Sequence, residues 1–205
     1  MIIEIQPDYP SSYRIKNCVK ALEQGGLIAI PTDTSYALAC LPQKRSAVEQ
    51  MIRLRKLDPK KPRALIFASI KQISLYTMLD DVNFRILKRF LPGPYCFILE
   101  SNRTLPRFIG DKRQHIGVRI PQHTVVQAIL DELDTPLTVT TAIDPDTQMT
   151  LCDPWSIQSS FGHGLELIVD AGDVYSGESS LVDLTDGKAE VLRQGLGDIQ
   201  AFMSY

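Results

Sequence analysis

Cysteine is scarce in this chain and follows no pattern. The four residues Cys18, Cys40, Cys96 and Cys152 stand singly with no CxxC pair, which excludes the usual zinc-ribbon and thiol-redox arrangements. Three of them sit in or beside apolar segments, where buried free thiols are expected. Histidine is scarcer still. His115, His123 and His163 lack the carboxylate and second-ligand spacing of a metal helix, so no transition-metal site is expected. Long apolar runs are absent as well. None approaches the roughly 18 residues that cross a bilayer, and the opening "MIIEIQPDYP" has neither a basic nor an apolar signal region, so a cytoplasmic protein with no membrane partner is expected.

The common catalytic fingerprints are missing too. No GxGxxG opens a helix and no GxSxG elbow occurs. "GDVYSGES", residues 172–179, comes near the phosphate-loop pattern, but Glu178 stands where the lysine belongs and the segment leads into a strand. Without that charge and without a helix N-terminus it reads as a turn.

What is present is an ordinary globular composition, 44% hydrophobic and 22% charged with a net charge of -2, in 205 residues that are expected to form one domain. The charge is unevenly placed. "RLRKLDPKKPR" gathers Arg53, Arg55, Lys56, Lys60, Lys61 and Arg63 around a single acid, Asp58. Such a cluster at a helix end usually faces water, yet Pro59 and Pro62 break the helix and hold the last cations in a loop. A loop of this kind over a cleft suits a polyphosphate or an RNA backbone.

Periodicity supplies the rest. "SSYRIKNCVKALEQGG" spaces Ile15, Cys18, Val19 and Leu22 as a helix and ends on glycines. "LIAIPT" and "YALACL" read as two strands joined by a turn at PTDT, "KRSAVEQMIRLRKL" as a helix that delivers the basic cluster, and "RALIFAS" as a buried strand. A helix over "NFRILKRFL", stopped by Pro92-Gly93-Pro94, precedes the strand "YCFILE". "HIGVRIP" then alternates, with Ile116, Val118 and Ile120 on one face and Gly117 and Arg119 on the other. After a helix over "HTVVQAILDEL" come the strands "LTVTTAI" and "LELIVDAG", a turn at 173–180, and the short strands "SLVDLT" and "AEVLRQG". Several strand pairs lie too close for helical crossovers, which predicts an α/β fold with a mixed parallel and antiparallel sheet. At strand ends stand Thr32, Thr34, Arg119, Thr140, Thr141, Ser179, Ser180 and Arg193, a set of guanidinium and hydroxyl groups suited to a small anionic ligand.

The ordered segments "GGLIAIPTDTSYALAC", the basic loop, "LPGPYCFIL", "IGVRIPQH", "SSLVDL" and "EVLRQG" resemble the YrdC/YciO-like proteins, from about Gly25 to Gly197, and are most similar to the YciO branch. The resemblance implies a single YrdC-like domain over residues 1–205, with a motif core of about 15–197. It implies a twisted mixed sheet flanked by helices around a large concave basic cavity. It also implies kinship with threonylcarbamoyl-AMP synthases, which join ATP, bicarbonate and L-threonine for tRNA modification, and with binding of nucleotides and double-stranded RNA or tRNA. Mg2+ would accompany ATP. Carried over by position, Thr32, Thr34, Arg119 and Ser180 would lie at an L-threonine-like substrate. Arg53, Arg55, Lys56, Lys60, Lys61, Arg63, Thr141 and Arg193 would serve nucleotide or RNA. Two departures stand out. Asp58 falls where a phosphate-facing arginine belongs, and Ile143 replaces an asparagine, leaving ligand polar groups unpaired at about 1–3 kcal/mol each. The reading is therefore a nucleotide- or RNA-binding relative with weak or altered synthase activity. A fully active synthase using other cations of the basic stretch, and a non-catalytic interaction module, remain as alternatives.

Overall fold

A computed structural model describes residues 1–102, 104–109, 114–174 and 177–202. Ten strands and six α-helices alternate along these residues: β1 (Ile2–Glu4), α1 (Ser12–Glu23), β2 (Ile28–Pro31), β3 (Tyr36–Cys40), α2 (Arg45–Leu54), β4 (Ala64–Ile66), α3 (Ile70–Tyr76), α4 (Asp81–Phe90), β5 (Tyr95–Glu100), β6 (His115–Arg119), α5 (Thr124–Leu133), β7 (Leu137–Thr141), α6 (Pro154–Phe161), β8 (Leu167–Asp170), β9 (Ser180–Asp183) and β10 (Glu190–Arg193). No helix among them is long and apolar enough to cross a membrane. Of the turn expected at 173–180, Tyr175 and Ser176 lie outside the described residues.

The strands join in one sheet, in the order β1-β8-β2-β3-β7-β4-β6-β5-β9-β10. Its mixed character follows from connection lengths. The four-residue link between Pro31 and Tyr36 folds β2 and β3 back as an antiparallel pair. A short turn does the same for β9 and β10. Longer connections place β4 parallel to β6 and β5 parallel to β9.

Alternation along each strand sends side chains to two cores. On one face Ile28 and Ile30, Ala37 and Ala39, and Leu137 and Val139 pack with Ile15, Cys18, Val19 and Leu22 of α1 and with Val125, Val126, Ile129 and Leu130 of α5. Each aliphatic side chain fully buried there contributes about 1.5–3 kcal/mol. On the other face Ala29, Leu38 and Cys40 meet Ala47, Val48 and Met51 of α2, with Ile73, Leu87, Ile157 and Phe161 from α3, α4 and α6. The chain turns away after α1 at Gly25, whose φ of 88° is the left-handed conformation that glycine enters without strain. Burial pushes the thiols of Cys18 and Cys40 up to about 12.

The first face is not covered along its whole length. α1 and α5 pack over β2 and β8, and farther along Ala64, Ile66, Cys96, Ile98, Gly117 and Leu181 of β4, β5, β6 and β9 instead form the floor of a cavity of about 430 Å³. At Ala64 and Gly117 the floor carries no more than a methyl group. A Cβ at Gly117 would lie 2.8 Å from Cys96 Sγ. Gly117→Val is expected to lower stability by about 1–3 kcal/mol through this overpacking. Urea denaturation should show partial recovery in the Gly117→Val/Cys96→Ala pair, because the second change removes the sulfur.

Candidate functional site

The turn between β2 and β3 forms one wall of the cavity. Thr32 N donates to Ser35 O at 3.0 Å, and Thr32 Oγ1 donates to the same carbonyl at 2.6 Å. With its proton spent there, Thr32 Oγ1 accepts from Thr34 N at 3.2 Å and Ser35 N at 3.3 Å, and from the Thr34 hydroxyl at 3.2 Å. Thr34 Oγ1 in turn accepts from Arg119 Nη2 at 3.2 Å. An arginine can only donate, so the direction of the chain is fixed: Arg119 to Thr34, to Thr32, to the Ser35 carbonyl.

The second proton of Arg119 Nη2 goes to Asp33 Oδ1 at 2.9 Å. This ion pair is nearly buried, with side-chain exposures of 9% and 11%. Among the described residues, Arg119 Nε and Asp33 Oδ2 are buried without a partner and Arg119 Nη1 makes no hydrogen bond, while the residue lines the cavity. His123 lies close enough to feel Asp33. Burial pushes its pKa down, the Asp33 charge opposes this, and its Nδ1 has no partner.

The basic stretch is divided rather than gathered. Arg53, Lys56 and Lys60 are exposed and stand outside the cavity wall, whereas Arg55, Lys61 and Arg63 line it. Arg55 is buried, donating from Nε to Thr141 O at 2.8 Å and from Nη1 to Ile143 O, so it fastens the end of α2 to the end of β7. Burial lowers its pKa and the Asp144 charge works against that. Lys56, at a φ of 49°, turns its ammonium to Asp146 in an exposed pair. Arg63 is 5% exposed. Its Nη2 donates to the carbonyls of Asp58 and of Lys61, the latter at 2.6 Å, and its Nε is buried without a partner. Burial lowers its pKa, opposed by Asp58, which also lines the cavity.

At the far wall Arg193 pairs through Nη1 with Glu178 Oε1 at 2.7 Å, while Nε and Nη2 donate to Ser179 O at 3.2 and 3.0 Å. Thr140, Thr141, Ile143 and Ser179 share the lining. Ser180 is fully buried. Its hydroxyl donates to Gly197 O at 2.6 Å and accepts from Gly195 N at 2.9 Å, which closes the loop after β10. On the floor Cys96 has its thiol pushed up by burial, and the charges of Arg119 and Arg193 oppose this. Sequence reasoning missed the Asp33–Arg119 and Glu178–Arg193 pairs. An acid set between two threonines in a buried turn was the available signal for the first.

A half-bare sheet face walled by guanidinium and hydroxyl groups defines a cavity-bearing mixed α/β protein. The Sua5/YciO/YrdC family model, described as telomere recombination, matches residues 20–195, and the chain belongs to this family. Escherichia coli YciO, described as an uncharacterized protein, is 34% identical over 200 residues, 97% of either chain. Its crystal structure superposes with a TM-score of 0.94 at 33% identity over 98% of both chains. Homo sapiens threonylcarbamoyl-AMP synthase is 28% identical over 189 residues, 88% of this chain and 67% of that protein. P. abyssi Sua5, solved in complex with L-threonine, shares the fold at a TM-score of 0.88 and 23% identity, over 95% of this chain and 57% of that one. The expected mixed sheet with flanking helices is therefore observed.

Asp33→Ala would leave the Arg119 guanidinium uncompensated. Breaking a buried pair costs about 3–5 kcal/mol, and the open cavity beside Nη1 reduces this, so a loss of about 2–3 kcal/mol is expected. Chemical denaturation of the variant measures it.

Proposed function

We propose that this protein is a YciO-type relative of the threonylcarbamoyl-AMP synthases. In this reading it holds an L-threonine-like amino acid at Arg119 and a nucleotide along the cavity floor, and its adenylate-forming activity is weak or altered. The observation that carries the reading is the Arg119 guanidinium. It is oriented by Asp33 and Thr34, lines the cavity, and makes no hydrogen bond from Nη1 to the described residues. A positioned guanidinium beside an open volume is the natural counterpart of a carboxylate. The L-threonine seen with the P. abyssi relative supports the choice of ligand.

The protein's chemistry would consist of placement and charge compensation, with reactants held in line and out of bulk water. Asp58 and Ile143, both in the lining, argue for slow turnover. One is an acid beside the phosphates and the other a hydrocarbon where a ligand amide would seek a partner. Mg2+ would enter on the phosphates and shield their charge. Asp58, whose carboxylate accepts from Lys60 N and makes no ion pair with the described residues, is the carboxylate of this wall that fits it.

Pyrophosphate release with ATP, bicarbonate and L-threonine tests the reading. Turnover at least tenfold below that of a synthase relative assayed alongside is expected, together with measurable L-threonine binding. Arg119→Ala should weaken that binding by about 30-fold, the equivalent of about 2 kcal/mol, and Arg119→Lys should restore part of it. No L-threonine binding to the intact protein, or binding indifferent to Arg119, would overturn the assignment. Full synthase turnover would favour the fully active alternative.

Duplex RNA or tRNA contact is proposed for the outward cations Arg53 and Lys60 together with Lys61 at the rim, which are exposed. Affinity should fall steeply with salt, and each neutralised contact should reduce the salt slope by about 1. Titrations of Lys60→Gln and Lys61→Gln at two salt concentrations check this.

A further inference from the structure

One face of α4 has no part in the cavity. Val82, Ile86 and Phe90 follow one another at four-residue spacing, which keeps them on one side of the helix and makes a stripe about 12 Å long at a rise of about 1.5 Å per residue. With Ala189 of the β9–β10 turn and Phe202 of the segment after β10, they line a groove of about 520 Å³. That is an ordinary size for a small-molecule pocket.

The groove and the cavity belong to opposite faces of the sheet. Along β5, Cys96 and Ile98 contribute to the cavity floor, whereas Tyr95 and Phe97 point into the other core, against which Ile86, Phe90 and Ala189 pack. Phe202 lies in the same core, its ring centroid 4.5 Å from that of Phe90 and 6.1 Å from that of Phe97. Contact between Phe90 and Phe202 closes one end of the groove. The other end is open to water at Val82, which is 55% exposed.

The charge of the groove is of one sign. Arg85, Arg89 and Lys188 stand in its lining and no described acid does. All three are exposed, and none makes an ion pair among the described residues, whereas Lys16, Arg45, Lys56, Arg119 and Arg193 each meet a carboxylate. Met203, Ser204 and Tyr205, which follow Phe202 outside the described residues, carry no acidic side chain. Arg85 and Arg89, one turn apart on α4, flank the apolar stripe, and Lys188 stands on the facing bank. Arg85 Nε donates to Asp81 O at 3.0 Å, which leaves the two Nη groups for the paired oxygens of a carboxylate. Arg89 is held at the aromatic end, its Cζ 5.3 Å from the Phe90 ring centroid.

We propose that this groove is a second ligand site, separate from the cavity, for a free amphipathic carboxylate. The apolar body of the ligand, an acyl chain or a single ring, lies along Val82, Ile86 and Phe90, and its carboxylate meets Arg85, Arg89 and Lys188 at the rim. The burial of the apolar groups favours a free molecule over a membrane surface. Ile86 and Phe90 are half-buried and Phe202 is buried, so they lie below the rim, where a flat bilayer does not reach and a single tail does.

Calorimetric titration of the full chain with octanoate, octanol and octylamine tests the proposal. Octanoate should bind about tenfold more tightly than octanol, with octylamine the weakest of the three. The pair Arg85→Gln/Arg89→Gln, at exposed positions that leave the melting temperature unchanged, should remove most of that preference and leave octanol binding as it was. Ala189→Leu, which fills the groove, should weaken octanoate and octanol alike. Saturating L-threonine should leave octanoate affinity unchanged. Failure of octanoate to bind, equal binding of the three amphiphiles, or octanoate affinity indifferent to the two arginines would overturn the proposal. Competition between L-threonine and octanoate would move the carboxylate into the cavity and overturn the separate site. Binding to vesicles of anionic phospholipid without binding of octanoate would assign this face to a membrane. A tenfold gain in octanoate affinity on removal of residues 203–205 would assign the groove to the chain's own end, and either of these last two results also overturns the proposal.

Discussion

The ion pair between Asp33 and Arg119 joins the β2–β3 turn to the end of β6, two elements separated in the sheet order by β7 and β4. Neither charge could rest at about one-tenth exposure alone, since an unpaired buried ion costs several kcal/mol. Together they set the cavity's end wall. Asp33 and Thr34 take both protons of Nη2, so the guanidinium plane is fixed and Nη1 is left over. The hydroxyl chain through Thr34 and Thr32 then follows from the arginine having only protons to give.

The second constraint is the uneven covering of the sheet. α1 and α5 lie over β2 and β8, and the floor beyond them is made of residues that alternate with the opposite core, such as Gly117 between Ile116 and Val118. That alternation was plain in "HIGVRIP", as were the β2–β3 hairpin and the helices α1, α2, α4 and α5, because period 2 and period 3.6 are local properties of sequence. β1 is only three residues at the sheet edge and too short to show a period. α3 and α6 were unread although their signals are present. Ser69 caps Gln72 N in an S-x-x-Q pattern, and Asp153 caps Ser156 N ahead of a proline at the first turn.

The site was legible in its residue types but not in their arrangement. Arg119 could be placed on the non-core face from its own strand, yet its partner lies 86 residues away in a turn. The sorting of the basic stretch is non-local in the same way. The carbonyls that claim Arg55 lie 86 and 88 residues on, and the carboxylate that claims Lys56 lies 90 residues on. Sequence could count the cations but could not show which were already engaged.

One consequence of the hydroxyl chain concerns how the PTDT wall meets a guest. Each of its two hydroxyl protons is already directed along the chain, one toward Thr32 and the other toward the Ser35 carbonyl. Both threonine protons are therefore committed within the turn, and Ser35 is the hydroxyl residue beside Thr32 in the lining whose side chain takes no part in this chain. In the proposed reading, a guest would meet these two threonines as contour and fixed partial charge, with neither hydroxyl turning toward it.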